Sequence, residues 1–360
     1  MAETMPQHGR KLRAVDLFCG AGGASVGLRK AGFDVVGALD LDPLAVETYT
    51  RNHPRTHCLR ADIRSLEPEE LMQQLGLARG TLDLLAGCPP CQGFSSVRTL
   101  NGSRKIEDDR NDLLLRFADY IVALRPRSVM LENVVGLQYD WRFQKFLGIL
   151  RRRGMDYKPV YGVLNAADYG VPQRRRRLIL VAGHHFEIPL ATPTGKKATV
   201  RDAIGNMPPV GISGDVLHDF PEHHGHRVQE LIKKIPHNGG SLSEAGKEYQ
   251  LKCHVHCDGF KDVYGRLAWD EVGSTITSGC TNPSKGRYIH PEEDRALTLR
   301  EAALIQTFPR QYFFSLRGGK QGAARLIGNA LPPGLIVQQA RLVAKSLREG
   351  EGEGSDKTRG

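Results

Sequence analysis

The sequence predicts an α/β fold, a doubly wound sheet joined to a smaller, loop-rich domain. Three observations carry that prediction. Short apolar runs alternate with amphipathic stretches through the first half of the chain, a glycine cluster follows the first run directly, and the alternation stops near His184. Alternating strands and helices imply a parallel sheet covered on both faces.

Taken in order, "AVDLF" (Ala14–Phe18), "DVVGAL" (Asp34–Leu39), "LDLLA" (Leu82–Ala86) and "SVMLE" (Ser128–Glu132) read as buried parallel strands, with one more strand ending at Asp62. Helices are expected from near Gly23, Pro43, Glu67, Arg110 and Trp141, because the apolar period there changes from strand-like to helical. "VYGVL" and "RLILVAG" extend the sheet to about Gly183, so residues 11–183 form the first domain. From His184 to about Asp294 the chain is rich in Gly, Pro, His and Ser and has no regular alternation; helix resumes at "LTLREAALIQTF". Residues 184–325 are therefore expected to form the second domain. After "GNALPPG" an amphipathic helix, Leu335 to about Leu347, needs an apolar surface, so residues 326–348 are expected to return to the first domain. The polar, glycine-rich tail, 349–360, is expected to be disordered.

The chain has 360 residues, a formal charge of +10 and a pI near 9.3, which favours a polyanionic partner such as nucleic acid. Seven cysteines in this length make no disulfide framework. No apolar run approaches membrane-spanning length, and "MAETMPQHGRKLR" lacks the apolar core of a secretion signal. A reducing, cytoplasmic setting is the expectation.

"DLFCGAGGASVGL" places glycines between the first strand and the first helix, where a nucleotide-type ligand meets exposed helix amides. Gly20 and Gly22 satisfy the first two positions of the dinucleotide fingerprint, but Ser25 holds the third, which disfavours a pyrophosphate cradle. Asp40, ending the second strand, is placed for ribose hydroxyls, and Asp62 for an adenine amino group. This is a nucleoside site without a phosphate grip. It suits S-adenosylmethionine better than NAD, although glycine turns and strand-end aspartates also occur in sheets without such a ligand.

"GCPPCQGFS" follows the fourth strand at the same sheet edge. Cys88 and Cys91 have redox-pair spacing, but prolines stand where the usual helix would start. A zinc site would need a second pair, and the candidate, "CHVHC" (253–257), is far away in the loop-rich domain; no metal is expected. Cys88 reads as a buried inert thiol. For Cys91, on a proline-stiffened loop beside a cofactor, a thiolate nucleophile is the sharper reading. Glu132, in "LENV", would lie beside it.

Together these segments resemble the C5-cytosine DNA methyltransferases over almost the whole chain. "DLFCGAGG", "PPCQGFS", "ENV", "YGVPQRRRRLILV" and "GNALPPGL" match the family's motifs in order, and "TITSGCTNPSKGRYIHPEEDRALTLREAALIQTFP" matches the end of its recognition region. The resemblance implies a Rossmann-like S-adenosylmethionine-dependent methyltransferase sheet with a target-recognition domain. It implies a DNA (cytosine-5-)-methyltransferase in which Cys91 attacks C6, Glu132 binds N3 and the amino group, and Arg175 and Arg177 complete the catalytic set, Arg177 at O2. Cofactor contacts would come from Phe18, Gly20, Gly22, Gly23, Asp40, Leu41, Asp62, Ile63, Pro90, Leu113 and Asn329. Leu41 stands where some relatives have tryptophan, and Cys88 where glycine is frequent.

The family resemblance also implies double-stranded DNA as substrate, with the target cytosine flipped out, S-adenosyl-L-homocysteine as product and a monomeric enzyme. It suggests the modification partner of a bacterial restriction system, sharing its site with a cognate endonuclease and acting at the nucleoid. Gln92, Ser95, Gln173 and Thr277 are expected at the DNA. Arg266, Lys285 and Arg287 are candidate base readers, since Arg and Lys favour guanine's major-groove edge, although phosphate contact is the commoner use. A tRNA methyltransferase of the same fold would carry a Cys-Phe-Thr segment, not found here; a catalytically silent DNA-binding protein is opposed by the intact Cys91, Glu132 and arginines.

Overall fold

The computed structural model describes residues 10–90, 112–220, 224–249 and 262–356. A seven-stranded sheet has the order β3-β2-β1-β4-β5-β7-β6. In chain order the strands are β1 (Leu12–Leu17), β2 (Phe33–Asp40), β3 (His57–Arg60), β4 (Leu84–Gly87), β5 (Ser128–Asn133), β6 (Tyr157–Asn165) and β7 (Arg176–His184). Every residue of β4 and β5 is buried, as a sheet covered on both faces requires. β1 to β5 pair in parallel, but β7 runs antiparallel between β5 and β6. The extension of the sheet beyond β5 is therefore mixed. The link 166–175 is too short for a parallel crossover, so β6 turns back as β7.

Helices α1 (Gly23–Lys30), α2 (Pro43–Asn52), α3 (Pro68–Gln74), α4 (Leu113–Leu124) and α5 (Trp141–Arg151) connect the strands. Local signals start them: Asp42 caps α2 by accepting from Leu44 N, with Pro43 at the first helical position, and Asp140 caps α5 by accepting from Arg142 N. The apolar stripe of α4 (Leu114, Phe117, Ile121, Leu124) packs with Leu85, Val129 and Leu180 on one sheet face. The opposite face, with Ala14, Val35 and Leu84, is covered by Leu28 and by the last helix through Ile336, Ala340, Val343 and Leu347.

The loop-rich part carries α6 (Val200–Ile204), α7 (His226–Lys234), α8 (Leu299–Ile305) and α9 (Gly319–Asn329), and α10 (Pro333–Asp356) closes the chain. Among the described residues it has isolated bridges, such as Arg266 with Ile289, rather than a second sheet. Its core (Leu297, Leu299, Ala303, Phe308, Leu326) is continuous with Ala21, Val26 and Ala45 at the glycine turn, α1 and α2. Two expectations change. A boundary between 325 and 326 would cut α9, and α10 runs on to Asp356, into the 349–360 tail, whose last four residues lie outside the described ones. Extending an anchored helix costs far less than nucleating one, so polar residues can continue it. Among the described residues no helix is long and apolar enough to cross a membrane.

Candidate active site

A cavity of about 580 Å³ opens at the carboxyl ends of β1, β2, β4 and β5, within the ordinary size of a small-molecule site. One half is built by the glycine turn. Phe18 and Gly20 both have positive φ, 61° and 52°, so the chain reverses sharply out of β1. Gly22 has φ 90°, and a Cβ there would sit 2.6 Å from the Tyr312 hydroxyl and 2.8 Å from His53 Nε2; only glycine fits. Tyr312 donates to Ala21 O at 2.6 Å, and His53, whose pKa burial pulls down to about 4, stays neutral beside it.

Asp40 holds the turn from the other side, its Oδ2 accepting from Gly20 N (2.8 Å) and its Oδ1 from Asp42 N (2.9 Å). Burial raises the pKa of Asp40, partly offset by those amides. Asp16, at the end of β1, is fully enclosed and its pKa is raised to about 7 by burial. Ser25 donates to Asp16 Oδ2 at 2.6 Å and lies 2.7 Å from the Tyr49 hydroxyl. That bond explains why serine, not glycine, holds the third fingerprint position. Phe18, Gly20, Gly23, Asp40, Leu41, Asp62 and Ile63 line this half, Gly22 standing behind it, and Leu113 and Asn329 face the same space. The Asp62 carboxylate is not open. Arg64 grips both its oxygens, at 3.0 Å and 2.6 Å, and holds its pKa below the usual range.

The other half is the edge of β4, β5 and β7. Glu132 is 4% exposed and lies between Cys88 and Arg177. Cys88 Sγ donates to Oε2 at 2.8 Å, and this thiol is half-buried rather than the buried one expected. Arg177 Nε lies 2.9 Å from Oε1, but its N–H is not directed at that oxygen, which has no directed hydrogen bond. A buried carboxylate oxygen left so is costly, and its residue is part of the cavity wall. Asn133 Nδ2 donates to Pro89 O at 2.9 Å and ties β5 to the loop on which Pro90 also lines the cavity. Cys91, the next residue in sequence, lies outside the described residues, as do Gln92 and Ser95.

Arg175 departs from expectation. It walls the cavity, but its guanidinium donates to the carbonyls of Ile276 (2.8 Å), Gly328 (3.2 Å) and Ala330 (3.1 Å). Burial, and then the charge of Arg177, pull its pKa down to about 9. It clamps the loop-rich part to the sheet, and Arg177 alone of the pair reaches Glu132.

The pattern that describes C-5 cytosine-specific DNA methylases matches residues 12–345. The chain belongs to that family. It is a DNA (cytosine-5-)-methyltransferase. The methylase is 35% identical over 347 residues to Type II methylase M.HgiDII of Herpetosiphon aurantiacus, covering 93% of this chain and 94% of the relative. It is 31% identical to Type II methyltransferase M.XorII of Xanthomonas oryzae pv. oryzae, with 93% and 85% covered. The fold matches that of the Entamoeba histolytica methyltransferase EhMeth with a TM-score of 0.66 at 15% identity, covering 94% of this chain and 99% of that one.

On the DNA side, three residues of the methylase do not stand where the sequence suggested. Gln173 is fully buried, bonded to Ile305 O, Gln306 and Ile276 N. Arg266 is also fully buried: it donates to the carbonyls of Ile232, Ile235, His290 and Glu293 and pairs with Asp294. Arg287 donates to the carbonyls of Gly239, Gly240 and Arg266. In each case polar loops lacking a sheet leave carbonyls to be satisfied from within, and the long donor-rich side chains turn inward to do it. Lys285 remains exposed, and Thr277 lines the cavity with its hydroxyl 2.9 Å from that of Tyr288.

Asp16, Arg64, Cys88 and Arg325 also line the methylase cavity, beyond the site residues the sequence points to. For Asp16 a signal existed, an acid at a strand end one turn before the glycines. Arg325, paired with Asp42 at 2.7 Å, comes from a helix 283 positions away in sequence, and nothing local announces it. Among the described residues no group of three or more His, Cys, Asp or Glu is placed to hold a metal.

Proposed function

We propose that this methylase binds S-adenosylmethionine in the glycine-turn half of the cavity and methylates C5 of a cytosine flipped out of double-stranded DNA at a specific site. The observation that carries the reading is the pairing, in one cavity, of that turn with a buried carboxylate, Glu132, which keeps one oxygen without a directed hydrogen bond. The residues present fit the cofactor: Asp40 lines the cavity beside the turn for a ribose and Ile63 for an adenine, with Asp62 beside it held by Arg64. S-adenosylmethionine supplies a methyl group on a sulfonium and leaves as S-adenosyl-L-homocysteine.

The reacting residues then act in order. The Cys91 thiolate bonds to C6 of the ring, which raises electron density at C5. Glu132 binds N3 and the amino group, Arg177 takes O2, and together they stabilise the charge that develops as C6 is attacked. Once C5 carries the methyl, its proton is lost, the Cys91–C6 bond breaks with the electron pair returning to sulfur, and the aromatic ring is restored. C6 is inaccessible in a duplex, so the base has to leave the stack. Arg175 acts as a positioning residue. Thr277, Lys285, Gln92 and Ser95 are the proposed DNA contacts.

The relatives named as Type II methylases support a place in a restriction-modification system, where a cognate endonuclease acts on the same site and need not bind this chain. A monomer acting in the cytoplasm at the nucleoid suits that role. The test is incubation with tritiated S-adenosylmethionine and either mixed-sequence duplex DNA or tRNA. Label in DNA alone is the expected result. Label in tRNA alone would transfer the substrate assignment to RNA, and label in neither would leave a silent DNA-binding protein.

A further inference from the structure

We infer that the Cys88 thiol is a positioning residue for Glu132, holding its Oε2 by a hydrogen bond so that Oε1 is turned to Arg177 and the base. The inference rests on the proposed role of Glu132. Gly87 of β4 pairs with Leu131 of β5, so Cys88 and Glu132 leave adjacent strands side by side. The sulfur lies 2.8 Å from Oε2, and Arg177, from β7 on the other flank, lies 2.9 Å from Oε1. The backbone of Cys88 is fixed too, its N–H bonded to Leu17 O at 3.3 Å, while Asn133 holds the next residue through Pro89 O. A carboxylate turns freely about its last torsion unless both oxygens are engaged. The Cys88 thiol bonded to Oε2 on one side and the Arg177 charge beside Oε1 on the other restrict that freedom before the base arrives, as preorganised stabilisation requires.

The sulfur suits the task. A thiol is a weak donor, strong enough to orient a carboxylate. It does not tie up Oε2 as a guanidinium would, and the oxygen's remaining lone pair stays available to the amino group of a base. Cys88 also lines the cavity itself, so a substitution there is felt at the reacting ring.

A packing role and a hydrogen-bonding role predict opposite orders for two variants. If Cys88 only fills space among apolar neighbours, Cys88→Ala is the better tolerated and Cys88→Ser the worse. If it orients Glu132, serine restores a donor and alanine does not. The measurement is steady-state kinetics on duplex DNA, with active protein counted by calorimetric titration with S-adenosylmethionine. The expected result is a roughly tenfold loss of kcat in Cys88→Ala, with KM for S-adenosylmethionine within about twofold of wild type and kcat largely recovered in Cys88→Ser. Cys88→Gly, a second donorless variant, should group with alanine. Alanine equal to or better than serine, or both at the wild-type rate, overturns the inference. Glu132→Gln serves as the control for the underlying reading: if it keeps full activity, that reading fails, whereas an inactive Glu132→Gln beside an unaffected Cys88→Ala removes only the role of the thiol.

Discussion

The Glu132 carboxylate and the Arg177 guanidinium lie 2.9 Å apart, on adjacent antiparallel strands, with the acid 4% exposed and the arginine side chain 18% exposed. Each is the main charge compensation of the other. Removing one partner of such a pair strands a buried charge, which costs more than the pair itself contributes. Arg177→Ala should therefore lower stability by roughly 2–4 kcal/mol and reduce kcat by about a hundredfold or more. Arg177→Lys should not rescue it, because an ammonium lacks the planar fork. Chemical denaturation and single-turnover kinetics check both parts.

Asp16 makes a pH prediction. Its pKa is about 7 in the folded chain against the ordinary 3.8, because burial outweighs the Ser25 hydrogen bond. Between those values the folded state holds a proton that the unfolded state has lost, so stability falls as pH rises through the window, and the full cost is present above pH 7. Asp16→Asn mimics the protonated acid. It should match wild type near pH 4 and be more stable by roughly 2–4 kcal/mol near pH 8. Denaturant melts at the two pH values test this, and an equal difference at both would contradict it.

Gly22→Ala should disable the cofactor half of the cavity without unfolding the sheet. The new methyl would meet Tyr312 and His53 on a backbone at φ 90°. The expected cost is about 1–3 kcal/mol, read as at least about a tenfold rise in the Kd for S-adenosylmethionine by calorimetry. Alanine at Gly20, which has nothing within 4 Å of its Cβ position, should do less harm.

Arg266→Met should destabilise the loop-rich part by roughly 2–4 kcal/mol, since at least four carbonyls lose a donor. It should leave the methylated sequence unchanged. Bisulfite sequencing of plasmid DNA modified by the variant reads this directly; a relaxed target sequence would return Arg266 to the DNA.

These predictions mark how far the residues themselves can be read. The sheet is legible because strand and helix periods differ and because Asp42, Pro43 and Asp140 announce helix starts. The glycine turn and Asp40 are legible because a sharp reversal out of a strand needs glycine, and an acid ending the next strand lies at the same sheet edge. Arg266, Arg287 and Gln173 lie elsewhere than the sequence suggests for one shared reason. An arginine or glutamine in a polar loop looks solvent-directed in sequence, yet a region without its own sheet recruits such side chains to satisfy carbonyls inside. Arg175 and Arg177 show the same limit within one motif: two residues apart on an extended segment they point to one side, but only the fold decides that one meets carbonyls and the other a carboxylate.

The account depends most on Cys91 bonding to C6. Duplex DNA carrying 5-fluorocytosine at the preferred site, mixed with the enzyme and S-adenosylmethionine, blocks the final proton loss and should trap a denaturation-resistant complex. Peptide mapping of that complex is predicted to find the DNA attached at Cys91, with no complex from Cys91→Ser. An attachment at Cys88, or methylated product with no adduct at any thiol, would contradict it.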